Sequence, residues 1–422
     1  KGQSIAETGT TTARPFFHPV ALSHLAGRGF HPERKTSLHH LHDQRGARYL
    51  LAGDWLRPAY YPKQGRSREE LIAAEALAVR TTGGLIDLGT LGKISIMGRD
   101  AVDFIERVYT GKFATLKVGM SRYALMCDES GVIIDDGVVV RRAEDRFYVT
   151  TTTTASSGIF AELQRWALLW GKHVVLSNET GHRGAINLAG PLSRQVLAPL
   201  TDIDLSEKRF PYLAAREGHV LGVPVMAVRV GFVGELGYEI HMPIASAARI
   251  WTGILEAGAA LGIEPFGVEA QRVLRLEKGH AIISQDTDGL TTPREAAMTW
   301  AVKDDKPFFV GQRSLRILSK KAIDRTLVGF TMAAEGPIPK ECHLVIDGDR
   351  IVGRVTSVVR SPTLNQVIGL AYVHPSQSSP GTVIRIRIDG GALVEGRVST
   401  LPFYDPENSR QKAGAPDRSA AA

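Results

Sequence analysis

From about residue 325 onward the chain changes its period, and that change constrains the fold more than any other feature. RTLVGFTM, CHLVIDGDRIVGRVTSVV, QVIGLAYV and GTVIRIRIDGGALVEGRVST are extended runs joined by Asp-Gly and Gly-Gly turns, the pattern of a small antiparallel barrel or sandwich. Its boundary falls near the polar segment SKKAIDR. Upstream, strand and helix runs are mixed without regular alternation, which disfavours a doubly wound sheet and predicts an α+β architecture.

Within that upstream part, Ser67-Arg68-Glu69-Glu70 has capping-box spacing and leads into the helical pattern LIAAEALAVR. LGKISIMG and the helical DAVDFIERVY follow. SRYALMC, GVIIDDGVVVRR and DRFYVTTTT then read as an antiparallel meander separated by polar turns, and SGIFAELQRWALLWG as a helix. A similar arrangement recurs: INLAG, the helical SRQVLAPL, the strands HVLGVPVMAVRV and LGYEIHMP, and the helix SAARIWTGILEAGAALG. Residues 1–60 show little periodicity and are expected to form an extended arm. The segment 61–315 is expected to hold two lobes, 325–410 the all-strand unit, and 411–422 a polar tail.

Composition narrows the function classes. Lys and Arg total 51 against 44 acidic residues, a net charge of +7 spread without a block of five like charges, so no nucleic-acid groove is expected, and a small anionic ligand suits the excess equally well. Two cysteines, Cys127 and Cys342, lie far apart, which points to a reducing cytoplasm and to no zinc or redox pair. No apolar run approaches the roughly 20 residues of a membrane span, and no signal peptide is evident. His39, His40 and His42 cluster without a complete ligand set, so no metal is expected. Lys1 and the polar stretch after it point to a chain cut from something longer.

Absent motifs are informative as well. No Gly-x-Gly-x-x-Gly follows a strand, and there is no Gly-x-x-x-x-Gly-Lys-Ser/Thr, His-Glu-x-x-His or Gly-x-Ser-x-Gly. The glycines of GFVGELG are wrongly spaced for a dinucleotide turn, so no Rossmann-bound NAD or FAD is expected on this chain.

The adjacent carboxylates Asp135 and Asp136 stand inside the apolar run GVIIDDGVVV, where an ionised group is costly without partners. Side chains alternate along a strand, placing Val132, Ile134, Asp136, Val138 and Val140 on one side and Ile133, Asp135 and Val139 on the other. Two readings stay open from these residues: ion pairs with Arg141 or Arg142 at a sheet edge, or one aspartate aimed into a cavity. Glu239, in RVGFVGELGYEIHMP, repeats the pattern, since a carboxylate pairs bidentately with guanidinium or with the amino-amidine edge of a pterin. The helical VEAQRVLRLEKG carries Arg275 with Glu277 or Glu269 as possible ion pairs. Trp300 reads as core or as a stacking surface.

Taken in order, YALMCDESGVIIDDGVVV, RVGFVGELGYEIHMP, LRLEKG and SPTLNQVIGLAYV resemble the aminomethyltransferase (T-protein) superfamily of the glycine cleavage system. TLGKI, the threonine run, LTDIDLS, QDTDG and FYDPENSR are most similar to the folate-binding carboxyl-terminal half of heterotetrameric sarcosine oxidase alpha subunits. The likeness covers roughly residues 12–410. It implies a three-lobed T-protein-like fold with a C-terminal antiparallel β-barrel, and tetrahydrofolate as ligand. Asp136 matches the aspartate beside the reacting folate nitrogens, Glu239 the glutamate on the pterin edge, and Tyr123 and Trp300 residues lining the site. Phe232 stands where relatives often have tyrosine, which keeps ring packing and removes a hydroxyl. Gln271 stands where relatives carry arginine; it donates hydrogen bonds but no charge, and Arg272 lies about 100° further around the helix.

The function so implied is tetrahydrofolate-dependent capture of the one-carbon unit released by oxidative demethylation of an N-methyl amino acid. Asp136 would accept or relay the proton. The oxidation needs FAD or FMN on a partner subunit, with no nucleic acid or membrane involved. Two alternatives are a non-catalytic structural lobe of an oxidase complex and a stand-alone folate-dependent demethylase.

Overall fold

The computed structural model describes residues 33–413. The arm expected over 1–60 is therefore described only in its second half, and there it is not extended. It forms a short helix, α1 (His39–Gln44), and an antiparallel hairpin, β1 (Arg48–Ala52) and β2 (Trp55–Tyr60). Long-range packing supplies the order that local periodicity lacks. The buried His42 lies between Asp87 Oδ2 at 3.2 Å and the Tyr61 hydroxyl at 2.9 Å, with the Trp251 ring 5.0 Å away. His39 faces Asp43 at 3.3 Å, so the histidine cluster is divided among carboxylate partners. Among the described residues no helix is long and apolar enough to cross a membrane.

Helix α2 (Arg68–Thr81) starts at the expected capping box: the Ser67 side chain accepts from the Glu70 amide while Glu70 accepts from the Ser67 amide. After β3 (Gly84–Asp87), the first lobe is a five-stranded antiparallel sheet. It comprises β4 (Gly92–Met97), β5 (Met120–Cys127), β6 (Ile133–Ala143), β7 (Arg146–Thr151) and β8 (Val175–Asn178), in the order β5-β6-β7-β4-β8. Helices α3 (Ala101–Val108) and α4 (Ser156–Leu169) cover one face through Phe104, Ile105, Ile159 and Leu163.

The second lobe is a six-stranded sheet in the order β10-β11-β12-β9-β3-β13, from β9 (Arg183–Ala189), β10 (Ala215–Val220), β11 (Val223–Val228), β12 (Gly237–Pro243) and β13 (Glu264–Pro265). Only the β3–β13 pair is parallel. HVLGVPVMAVRV, which reads as one strand, is a hairpin: Leu221 and Gly222 both have positive φ, 52° and 74°, the two-residue turn that matches strand twist. Helices α5 (Ser193–Leu197) and α6 (Ala247–Gly258) pack on one face around Trp251. The other face meets the first sheet through Val140, Tyr148, Ala215, Met226 and Val228.

Helix α7 (Val268–Glu277) and the short α8 (Gln312–Leu318) precede the third lobe. That lobe is a closed barrel of β14 (Thr326–Met332), β15 (Leu344–Asp347), β16 (Arg350–Ser361), β17 (Gln366–Val373), β18 (Val383–Arg387) and β19 (Leu393–Ser399). Every strand pair in it is antiparallel. The polar tail expected from 411 is, in its described part, the end of a helix, α9 (Ser409–Ala413), with Gln411 buried.

The ion pairs expected within α7 form elsewhere. Arg275 donates to Asp286 at 2.6 Å and to Ser357 of β16 at 2.7 Å, and Asp286 accepts from Thr356 and Ser357 at 2.6 Å each. Glu277 instead takes two bonds from Arg80 of α2, at 2.9 and 2.7 Å. Arg275 and Asp286 are 1% and 0% exposed, so removing one partner leaves a buried charge. Arg275→Ala is expected to cost about 3–5 kcal/mol in urea unfolding, and a loss below about 1 kcal/mol would show that the pair does not anchor the barrel.

Candidate functional site

The two aspartates of β6 have different surroundings, and the strand's register explains how. Leu125 pairs with Asp136 and Tyr123 with Val138 in unbroken register, so Asp136, Val138 and Val140 share the face that looks toward the second sheet. Asp135 is on the other face, 3% exposed, where the Thr152 hydroxyl donates to it at 2.6 Å and the Thr152 amide at 3.3 Å. A bulge shifts the register at Ile134, because Cys127 pairs with Ile133 but Met126 with Asp135. Ile134 consequently packs into the α3–α4 core and not on the side of Asp136, as simple alternation predicted. Arg141 and Arg142 pair with Glu144 and Glu217, at 2.9 and 2.8 Å, and with neither aspartate.

Asp136 is half-buried and accepts a hydrogen bond from the Tyr123 hydroxyl at 2.9 Å, a diagonal cross-strand contact. The Tyr123 ring lies 5.1 Å from that of Trp300, tilted by 36°. Trp300 stands on a turn, Thr299–Ala301, pinned by the Thr110 hydroxyl donating to Ala301 O at 2.9 Å, and its side chain is 59% exposed. Gly137, next to Asp136, lets β7 approach: a Cβ there would lie 1.9 Å from Thr150 O.

Both carboxyls are pushed up by burial, Asp136 to about 6 and Asp135 to about 8; the neighbouring Asp136 charge adds to the effect on Asp135, whereas the Tyr123 donor restrains Asp136.

Glu239 reaches the same gap from the second sheet. It pairs in register with Val228 on one side and Asn187 on the other. Directly paired residues share a face, and Val228 belongs to the apolar cluster of Val138 and Val140, so Glu239 stands on the face of the second sheet that meets the first. Glu239 Oε1 lies 2.9 Å from His241 Nε2, and His241 Nδ1 lies 3.1 Å from the Tyr148 hydroxyl of the first sheet. With the tyrosine donating to Nδ1, Nε2–H donates to the carboxylate, so a neutral imidazole suffices to orient Glu239. The buried Lys93, lowered to about 8 by burial, lies within the electrostatic reach of Glu239 and is capped by Gly89 O and Leu91 O at 2.9 and 2.8 Å.

The structure thus joins Asp136 to Tyr123 and Tyr123 to Trp300, and puts Glu239 on the facing side of the second sheet. Phe232 has a different ring partner, His280, at 5.6 Å, whose Nδ1 donates to Phe232 O at 2.9 Å. Burial lowers His280 to about 4, keeping it a neutral surface. Gln271 is half-buried on the first turn of α7, which packs on the second sheet through Ala270, Val273 and Leu274. Two cavities of about 390 and 350 Å3 lie beside α2 and beside Thr36 and Asp87, and neither is lined by any of these six residues. His241 and Tyr148 were missed in the sequence; the signal for His241 was its place two residues from Glu239 on one strand face.

Two sheet lobes followed by a closed antiparallel barrel define a class of fold, and family comparison agrees with it. The GCVT N-terminal domain matches residues 38–306 and the glycine cleavage T-protein C-terminal barrel domain matches 325–405. The chain belongs to the glycine cleavage T-protein family. It is 37% identical to the sarcosine oxidase subunit alpha of Corynebacterium sp. (strain U-96), across 96% of this chain and 44% of that protein. It is 32% identical to the aminomethyltransferase of Halothermothrix orenii, across 88% of this chain and 99% of that one. The crystal structure of the glycine cleavage system aminomethyltransferase T from Bartonella henselae superposes with a TM-score of 0.78 at 28% identity, covering 88% of this chain and 98% of its own. The chain therefore spans less than half the length of the sarcosine oxidase alpha subunits it matches.

The raised carboxyl values carry a pH prediction. A carboxyl that binds its proton more tightly when folded makes stability fall as pH rises from its unfolded value, about 4. The fall runs through about 6 for Asp136 and about 8 for Asp135. Asp135→Asn is expected to flatten the upper part of that fall in denaturation midpoints. Tyr123→Phe, which removes a donor to the ionised carboxylate, is expected to raise the Asp136 value by roughly one to two units in a carboxyl-carbon NMR titration; no upward movement would contradict the assignment.

Proposed function

We propose that this chain binds tetrahydrofolate between its two sheets and captures the one-carbon unit released by oxidative demethylation of an N-methyl amino acid. In this reading it acts in the cytoplasm as the folate lobe of a sarcosine oxidase-like complex. The observation that supports the reading is the pair of carboxylates, Asp136 and Glu239, carried on the facing sides of two packed sheets. The names of the relatives, sarcosine oxidase subunit alpha and aminomethyltransferase, support the substrate class.

The residues fit a reduced pterin. Glu239 is held from one side by His241, which leaves acceptor capacity for an amino-amidine edge. The Tyr123 and Trp300 rings offer a partly exposed aromatic surface, and Phe232 and Gln271 are assigned to the same ligand. Tetrahydrofolate would supply two N–H nitrogens that close a ring on a formaldehyde-level carbon; both nitrogen-borne protons leave with its oxygen as water, the second of them needing a relay. Asp136, held near 6, is ionised at neutral pH and close enough to it to accept that proton and pass it on. Its charge also stabilises cationic character at the reacting carbon. The Tyr123 hydroxyl keeps the carboxylate aimed. Oxidation is assigned to a flavin, FAD or FMN, on a partner subunit, where the N-methyl amine would bind.

Calorimetry with tetrahydrofolate tests this. Glu239→Ala is expected to weaken binding by roughly ten- to a hundredfold, the value of a hydrogen bond to a charged group. Asp136→Asn should leave affinity within about threefold while slowing one-carbon capture by roughly 100- to 10,000-fold. No heat with the wild-type chain, or unchanged affinity in Glu239→Ala, favours the structural-lobe reading. Folate-dependent demethylation by the isolated chain, without flavin, favours the stand-alone one.

A further inference from the structure

The loop between β11 and β12, Arg229–Leu236, carries Phe232 and leads directly into the strand of Glu239. Two glycines flank the phenylalanine within two residues, and glycine adds backbone freedom. The loop is held by its buried Val233 and Leu236, by Arg80 donating to Val233 O and Glu235, and by a set of bonds from the far end of the chain. Arg229, 1% exposed, donates to the backbone carbonyls of Gln411 at 3.1 Å and Lys412 at 2.6 Å, and to Phe210 O at 2.7 Å. The Gln411 side-chain amide, 3% exposed, donates to Gly231 O. Arg410 donates to both oxygens of Glu235 at 2.9 and 2.8 Å, and to Arg80 O at 2.6 Å.

The Tyr404 hydroxyl adds a second donor to Glu235 at 3.0 Å and Arg80 a third, also at 3.0 Å. The segment that delivers these groups is itself built to be rigid. Tyr404 N donates to Glu277 O at 2.8 Å, Lys278 donates to Asp405 O at 2.7 Å, and Asp405 Oδ1 accepts from the Ser409 amide and hydroxyl at 2.9 and 2.7 Å. Phe232 sits in the middle of the loop, clamped at residues 229, 231 and 235 from one side and stacked on His280 from the other. The clamping residues 410–412 follow the stretch matched by the barrel domain.

We propose that Arg410 and Gln411 are positioning residues for ligand binding: they hold the backbone of the 229–236 loop so that the Phe232 ring is presented in one orientation. The effect on affinity runs through Phe232, and in that respect the inference rests on the folate reading. A purely structural contact would lower stability without coupling to Phe232. A positioning contact makes the two residues non-additive, because once the loop is released the ring no longer contributes.

The test uses the full chain and Gln411→Met, which keeps the buried volume and removes the donor to Gly231 O. In the ligand-free protein, hydrogen exchange at amides 230–236 is expected to rise tenfold or more, with strands β14 to β19 unchanged. In calorimetry with tetrahydrofolate, Gln411→Met and Phe232→Ala should each weaken binding about tenfold, and the double variant no further than either alone. Unchanged exchange in the loop, or affinities that multiply, overturns the proposal. If the wild-type chain does not bind tetrahydrofolate, the folate reading fails and the exchange result alone decides the positioning. Should Gln411→Met not fold, Gln411→Glu, which places a carboxylate against the Gly231 carbonyl, carries the same measurements.

Discussion

One buried guanidinium joins most of the molecule. Arg80 on α2 is 3% exposed and donates to Glu277 at the end of α7, to Glu235 before β12, and to the backbone of Val233 and Leu274. Two carboxylates around one arginine would leave an uncompensated buried charge. Arg410, arriving from the last helix, supplies the second cation. The network is then neutral, and its members come from four separate stretches of chain. A buried pair of this kind is poor evidence of net stability, but breaking it is costly, and so it specifies which elements meet. The α2, α7 and C-terminal segments can be assembled in only one way that leaves none of these charges alone.

The site depends on that assembly more than on local chemistry. Asp136 and Glu239 are offered by two sheets whose facing surfaces are apolar, Val138, Val140 and Tyr148 against Met226 and Val228. Apolar packing sets the separation of the sheets and places both carboxylates in a partly dehydrated gap. Burial raises Asp136 toward neutrality, the Tyr123 hydroxyl keeps it from rising further, and the value that results suits proton transfer. Asp135, one residue away, receives hydrogen bonds from Thr152 and has no view of the gap. Adjacent identical residues thereby stand in different surroundings, separated only by the alternation of a strand.

Much of this was legible beforehand, for physical reasons that differ by element. Capped, amphipathic α2 and the Asp-Gly and Gly-Gly turns of the barrel are local signals, and local signals survive into the fold. The parity of Asp136 with Val138 and Val140 was equally readable, because no bulge interrupts residues 136–141. The Ile134 bulge and the Leu221-Gly222 turn were not, since each interrupts a hairpin that simple alternation reads as continuous; nor was the ordered α1–β2 region, which is held by contacts such as His42 with Asp87. Partner choice was the least readable property. Arg275 reaches Asp286 and the barrel instead of its helical neighbours, and Arg141 and Arg142 turn away from the aspartates beside them.

The sequence by itself determined the kinds of element, the all-strand character of the last unit, the family, and which acidic side chains stand in apolar strands. These follow from period, turn chemistry and residue type, all of which act over a few residues. Only the tertiary structure decided that Asp136 and Glu239 stand on the meeting faces of two sheets, that His241 and Tyr148 orient the second of them, and that the C-terminal helix grips the loop of Phe232. Such relations join positions up to 330 residues apart, and their geometry is set by how whole faces pack, a quantity that no window of neighbouring residues contains.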